Sequence, residues 1–157
     1  MKKTNALRIL GQHKIDYETL EYKYDSDNLD VAKIAEDNGL LLEIIFKTLV
    51  LNGDKSGTIM AIIPGDRQLS LKKTAAASGN KKVEMAAVND LENLTGYVRG
   101  GCSPIGTKKA YPVYLDLNAK VREKIFINAG TRGLLFSCAP NDLFKVCKVE
   151  WADVCEG

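Results

Sequence analysis

Two apolar runs separated by a polar turn constrain the fold of this chain more than any other feature. Ile44 to Leu51 and Thr58 to Pro64 are each of strand length, and Asn52-Gly53-Asp54-Lys55-Ser56-Gly57 between them is turn chemistry. The expected product is a β-hairpin. One residue interrupts its first arm: Lys47 stands alone in Ile44-Ile45-Phe46-Lys47-Thr48-Leu49-Val50-Leu51. Alternate side chains of a strand fall on opposite faces, so Ile45, Lys47, Leu49 and Leu51 share one and Ile44, Phe46, Thr48 and Val50 the other. Either way the ammonium has buried-type neighbours, and a lysine is almost never fully buried without a partner. Three arrangements meet that demand. The head snorkels into water from an edge strand, it finds an acid, or it lines a pocket where an anion or a polarised carbonyl comes to it.

The rest of the chain reads as short helices among short strands. Thr4 caps a predicted helix over Asn5 to Leu10 that Gly11 ends, and Asp16 to Tyr24 alternates as a strand with Leu20, Tyr22 and Tyr24 on one face. Asp27-Asn28 is expected to cap a helix with Val31, Ile34 and Ala35 inward, stopped at Asn38-Gly39. After the hairpin, Ser70 caps Leu71 to Ser78, and Asn89 with Glu92 resembles a capping box for a short helix ended by Gly96. Strands are predicted at Tyr111 to Asp116, Lys124 to Asn128 and Leu134 to Cys138, with a helical turn over Leu117 to Glu123. Pro140 opens a last helix and Val146 to Trp151 closes the chain. No repeat or linker interrupts this, so residues 1–157 read as one domain, large enough to bury about two-thirds of its unfolded surface. The class is α+β with a mixed or barrel-like sheet.

Composition narrows the function classes. Twenty-two basic and 20 acidic residues give a net charge of +2, so any polyanionic partner needs a local patch rather than an overall excess. Met1-Lys2-Lys3-Thr4-Asn5 is basic, but Arg8, Gln12, His13 and Lys14 break any apolar stretch after it; no leader and no membrane span are expected, and the cytoplasm is the expected location. Cys102, Cys138, Cys147 and Cys155 show no C-x-x-C pair, and the single histidine, His13, is far away in sequence. Neither a metal site nor a Cys/His nucleophile is expected, nor any cofactor.

Two glycine-rich segments are the other candidate sites. In Gly100-Gly101-Cys102-Ser103-Pro104-Ile105-Gly106 adjacent glycines admit a close ligand, and the amides of Gly100 to Ser103 can point at one acceptor, as an oxyanion or phosphate requires. It has neither Walker nor Rossmann spacing, and a plain tight turn fits it as well. Arg132, between Gly130 and Gly133, sits where a chain doubles back; it either grips a carboxylate or phosphate or is simply solvated. Lysine pairs at Lys72-Lys73, Lys81-Lys82 and Lys108-Lys109 are each consistent with a nucleic-acid backbone or with a solvated face.

Phe46-Lys47-Thr48-Leu49-Val50, Gly96-Tyr97-Val98-Arg99-Gly100-Gly101-Cys102-Ser103-Pro104-Ile105-Gly106 with Lys108-Lys109, and Gly130-Thr131-Arg132-Gly133-Leu134 occur in this order. Together they resemble the YbaK-type aminoacyl-tRNA deacylases, free-standing relatives of the editing domain of bacterial prolyl-tRNA synthetase. The resemblance runs over essentially the whole chain. It implies a mixed fold around a curved, barrel-like sheet, and hydrolysis of cysteine mischarged on tRNA-Pro, with activity on Cys-tRNA-Cys. It implies no cofactor, the 3′ end of an aminoacyl-tRNA as partner, and prolyl-tRNA synthetase as a candidate second partner; it leaves the oligomeric state open. Lys47 corresponds to the family's essential lysine, while Tyr22, Thr48, Gly100, Gly101, Asn128 and Arg132 correspond to substrate-binding positions. The family mechanism is substrate-assisted: the cysteinyl thiol attacks its own ester carbonyl. Catalysis is then a matter of positioning and charge stabilisation.

The chain departs from the family pattern at four points. The usual serine before the Gly-flanked arginine is Asn128, the usual aspartate after that turn is Leu135, Leu29 and Asp30 occupy a region where an aromatic is usual, and Cys102 replaces an aliphatic. A more apolar pocket is expected, which leaves the accepted aminoacyl group open. A sister deacylase for alanine or another small residue, and a non-catalytic module that binds tRNA or the synthetase, are the alternatives.

Overall fold

The β-hairpin forms as its turn chemistry requires and becomes the centre of the molecule. In the computed structural model, which describes residues 3–157, β2 (Phe46–Gly53) pairs antiparallel with β3 (Gly57–Pro64) from Phe46 opposite Pro64 to Gly53 opposite Gly57. Around it lie α1 (Asn5–Gln12), β1 (Glu18–Glu21), α2 (Val31–Asn38), α3 (Leu71–Ser78), β4 (Val83–Met85) and α4 (Leu91–Thr95). They are followed by β5 (Pro112–Asp116), β6 (Ile125–Asn128), β7 (Leu134–Cys138) and β8 (Lys148–Ala152).

The strands form two sheets. One has the order β1-β7-β6 and is antiparallel throughout; the other runs β4-β2-β3-β5-β8, antiparallel at the hairpin and β4 but parallel from β3 through β5 to β8. A single parallel bridge, Ile45 with Phe126, links them. Among the described residues the ladders do not close into a barrel: the two sheets meet at that bridge. The mixed helix-and-sheet class stands.

The apolar pattern explains the layers. β3 is apolar on both faces: Met60 and Ile62 pack into a core between the sheets with α1, Phe46, Val113 and Phe136, while Ile59, Ala61 and Ile63 pack toward α3. A strand covered on both faces reads as a continuous apolar run rather than an alternating one. A third cluster sets Ile34 and Ala35 of α2 against Tyr22, Ile45 and Leu135 on the outer side of the small sheet.

Several boundaries differ from expectation. Asp30, not Asp27 or Asn28, caps α2 by accepting from the Ala32 N–H; the Asn28 side chain accepts from Asp30 N instead. Asn89 makes no cap, and α4 starts at Leu91. The segment after Pro140 is a 3-10 helix over Pro140–Lys145 rather than an α-helix, and β8 begins two residues later than the apolar pattern suggests. β1 is half its predicted length, because the chain leaves the ladder after Glu21 and Tyr22 N–H binds Gly133 O instead.

Candidate functional site

β3 borders β2 along its whole length, but β4 covers the opposite edge only from Leu51 to Gly53. Val50 O still accepts from the Ala86 N–H, but between there and the Ile45–Phe126 bridge no strand among the described residues pairs with the edge of β2 from Phe46 to Leu49. Lys47 is therefore locally an edge lysine, but the edge does not face open water. Three loops close around it and leave a cleft of about 640 Å³, a size ordinary for a small-molecule site. Ser26 to Val31 form one lip, Met85 to Leu91 another, and Arg99, Gly100 and Cys102 a third. Lys47 and Thr48 lie on the strand wall, with Tyr22, Asn128 and Leu135 behind the mouth.

Lys47 is half-buried and forms neither an ion pair nor a side-chain hydrogen bond among the described residues. Of the three arrangements that could accommodate it, the acid partner is absent there and the cleft wall is what the chain provides. Thr48, its neighbour, has a hydroxyl oxygen that is buried and without a partner. A hydroxyl in that state is costly, by about 1–3 kcal/mol, and being closed off from solvent it is not open to the cleft as the structure stands.

Asn128 ties the mouth together. Its Nδ2 donates to Gly100 O at 2.8 Å and to the Tyr22 hydroxyl at 3.3 Å, and its Oδ1 accepts from Gly130 N at 2.7 Å and Thr131 N at 3.1 Å. One side chain thus joins β6, the glycine loop, the turn 129–133 and the tyrosine. Burial, only partly offset by these bonds, raises the Tyr22 phenol above its usual range and keeps it protonated.

Gly100 is held at φ +82°, and a Cβ there would come 3.0 Å from Leu29 Cδ1 and 3.4 Å from Arg132 Nε. Only glycine fits. Its N–H has no partner among the described residues and its position is on the cleft wall. Gly101 behaves differently. Its N–H donates to Val98 O at 2.9 Å and its α-carbon backs onto the Thr131 and Arg132 backbone, so it supports the loop from behind and does not line the cleft. Nor does Arg132, whose Nε donates to Arg99 O at 2.8 Å. Lys47, Thr48, Tyr22, Gly100 and Asn128 are thus brought together, while Gly101 and Arg132 stand one layer out.

The lining also contains residues that sequence reasoning did not single out. Met85 and Val88 are about half exposed, at 48% and 55%, and with Leu91 they form the lip opposite Arg99. The signal for Arg99 was present in its place directly before the glycine pair; nothing in the sequence placed Met85 and Val88 across from β2. Leu29, Ile34 and Leu135 make the remaining wall apolar. The cleft offers no convincing nucleophile. Burial raises the Cys102 thiol, His13 is not part of the lining, and the exposed Ser26 hydroxyl makes no hydrogen bond to a base among the described residues. Among the described residues no group of three or more His, Cys, Asp or Glu is placed to hold a metal, and no helix is long and apolar enough to cross a membrane.

Comparison with known proteins agrees with this geometry. Over 153 residues the chain is 46% identical to EbsC of Enterococcus faecalis (strain ATCC 700802 / V583), covering 98% of this chain and 93% of that protein, whose name is that of a Cys-tRNA(Pro)/Cys-tRNA(Cys) deacylase. It is 33% identical over 104 residues to the proline–tRNA ligase of Thermosipho africanus (strain TCF52B), covering 62% of this chain but 18% of that enzyme. A crystal structure described as a trans-editing enzyme for prolyl-tRNA synthetase superposes with a TM-score of 0.82 at 25% identity, each chain fully covered. Residues 25–146 match the aminoacyl-tRNA editing domain, a span that includes most of the cleft lining, and the chain belongs to that family.

Proposed function

We propose that this chain is a trans-editing deacylase that clears cysteine mischarged on tRNA-Pro, with activity on Cys-tRNA-Cys, and that residues 1–157 act as one editing unit. The observation that carries the reading is a lysine without a partner among the described residues, on the wall of a cleft that offers no convincing protein nucleophile. A cleft so built suits a reaction whose nucleophile arrives with the substrate. The cysteinyl sulfur forms a bond to its own ester carbonyl carbon, the bond from that carbon to the ribose oxygen breaks, and the thiol proton ends on the ribose hydroxyl. Cysteine thiolactone leaves, and water opens it.

In this scheme Lys47 is a fixed cation for the carbonyl or the departing ribose oxygen, the Gly100 N–H is a second donor, and Tyr22 and Thr48 hold the aminoacyl group. Gly101, Asn128 and Arg132 act on substrate through the loop they brace. The aminoacyl-tRNA would be met in the cytoplasm, with prolyl-tRNA synthetase as the candidate partner, because the synthetases of this comparison carry a matching segment. The curved, barrel-like form of the sheet that the family resemblance implies belongs to the same proposal.

A deacylation panel of Cys-, Ala-, Ser- and Pro-charged tRNA-Pro tests it. Native protein should release cysteine and spare the other three, and Lys47→Ala should slow release by about 10²–10³-fold, the usual cost of one such donor. Cysteine release by Lys47→Ala within a few-fold of native would remove Lys47 from the chemistry. One observation favours a second reading: Leu29, Ile34 and Leu135 give the cleft an apolar wall suited to alanine. Release of alanine as fast as cysteine would select that reading, since alanine has no thiol to assist.

A further inference from the structure

All 20 acidic residues fall outside three segments of the chain, 3–15, 93–115 and 124–141. The charged residues inside them are Lys3, Arg8 and Lys14, then Arg99, Lys108 and Lys109, then Lys124 and Arg132. With a net charge of only +2 this segregation is invisible in the composition. The fold brings the three segments together. Asn5 Nδ2 donates to Gly106 O at 3.0 Å, Arg132 Nε to Arg99 O at 2.8 Å, and the Thr4 hydroxyl to Ala129 O. The Lys108 stem lies beside Gly96, and the Tyr97 ring packs on Gly130. Among the described residues, Lys124 with Glu18 is the one ion pair these cations make, while Arg8, Arg99, Lys108 and Lys109 are exposed with none. The adjoining lip, whose Leu29 lies against Gly100, has the reverse sign. Residues 16–30 carry Asp16, Glu18, Glu21, Asp25, Asp27 and Asp30 against Lys23 alone, and Asp27 and Asp30 reach the cleft wall.

We propose that the acceptor-stem backbone of the charged tRNA docks where these segments meet, with Arg8, Arg99, Lys108 and Lys109 on its phosphates, so that the 3′ end enters the cleft past Arg99 rather than over the acidic lip. The inference rests on the reading of the cleft as an aminoacyl-ester site and adds the direction from which RNA reaches it. A polyanion arriving over residues 16–30 meets like charge; one arriving over residues 96–109 releases counterions.

The test compares native protein with Arg8→Ala/Lys108→Ala/Lys109→Ala, three side chains outside the cleft lining. A second variant, Lys108→Ala/Lys109→Ala, leaves the Arg8–Asn5 hydrogen bond intact. A third, Lys55→Ala/Lys81→Ala/Lys82→Ala, removes as much charge beside the hairpin turn. For the first variant KM on Cys-tRNA-Pro should rise about tenfold, and the salt slope of binding should flatten by about 2–3, at roughly 0.7–0.9 per lost phosphate contact. Hydrolysis of cysteinyl-adenosine, which has no stem, should not change. The double variant should show two-thirds of the slope change, and the hairpin variant none. Native-like KM and slope in the first variant, or an equal loss in the hairpin variant, would overturn the docking face. If native protein releases cysteine from neither substrate, it is the ester-site reading that fails. The face is then decided by fluorescence anisotropy with an acceptor-stem hairpin RNA, where the same slope differences must appear.

Discussion

Asn128→Ala removes a joint that holds the mouth of the cleft, and its cost can be worked from the geometry. Three of the four hydrogen bonds, to Gly100 O, Gly130 N and Thr131 N, lie between 2.7 and 3.1 Å, and each is worth about 1 kcal/mol net. The 3.3 Å contact with the Tyr22 hydroxyl adds little. Gly100 and Thr131 are exposed, so water replaces part of the loss, and the sum falls to about 2 kcal/mol. For a chain of this length that lowers the melting temperature by about 4–8 °C. The kinetic effect should be larger than the thermal one, because the freed segment carries Gly100 on the cleft wall; misplacing a site by about 1 Å costs up to about 10²-fold in rate. Asn128→Ser separates the two effects. A serine hydroxyl still reaches the N–H two residues on, which keeps the turn 129–133, but it is too short to donate to Gly100 O. The serine variant should recover much of the melting temperature and little of kcat/KM on Cys-tRNA-Pro. Thermal melts beside single-turnover deacylation read both quantities. An alanine variant that melts within about 1 °C of native and keeps kcat/KM within about twofold would refute the idea that Asn128 positions the loop.

Two further outcomes follow from buried groups. Thr48→Val removes a hydroxyl that has no partner, so it should not lower stability and should raise it by about 1 kcal/mol while slowing cysteine release; a loss of stability in denaturant melts would show that the hydroxyl is satisfied after all. Burial pushes the thiols of Cys138, Cys147 and Cys155 up to about 12. A raised native value means that the stabilisation is complete below the unfolded thiol range and is lost as pH rises through the native one. Melting temperature should therefore fall between pH 9 and about 12, and native protein at pH 8 should react with a thiol reagent far more slowly than unfolded protein; fast native labelling of all four cysteines would contradict that burial.

What could be read from the sequence depended on how local its cause is. The hairpin, α3 between Ser70 and Gly79, and the helix stop at Gly39 each follow from residues within a few positions of one another, and each stands where it was expected. β4 was not legible. Three residues, Val83 to Met85, have no period of their own and become a strand only because Leu51 to Gly53 lie alongside. The same holds for the sheets: strand pairing depends on distant partners, and among the described residues Ile45 with Phe126 is the one bridge between them. The capping error at α2 has a different origin. Asp27, Asn28 and Asp30 are all competent caps, and the turn in which Asp25 O accepts from Asn28 N–H decides which of them faces the helix.

The site shows the same division between residue type and placement. Lys47 was conspicuous because its neighbours are apolar, but whether a strand covers its edge depends on β4 ending at Met85, opposite Leu51 and far along the chain from Lys47. Gly100 and Gly101 are indistinguishable by type, yet one lines the cleft with an N–H that has no partner among the described residues and the other spends its N–H on Val98 O with its back against the turn 129–133. Charge follows suit. The absence of acid from 3–15, 93–115 and 124–141 is plain in the sequence, but a stretch without acid is ordinary taken alone. It becomes a surface only because Asn5, Arg99, Gly106 and Arg132 meet. The residues proposed to touch the ester are therefore open to change by local substitution, whereas the proposed tRNA face is shared among three distant segments. Substituting any one of its cations should weaken docking by its own phosphate contact and no more, so losses across Arg8, Lys108 and Lys109 should add, whereas Lys47 and Thr48, adjacent in one cleft, should not.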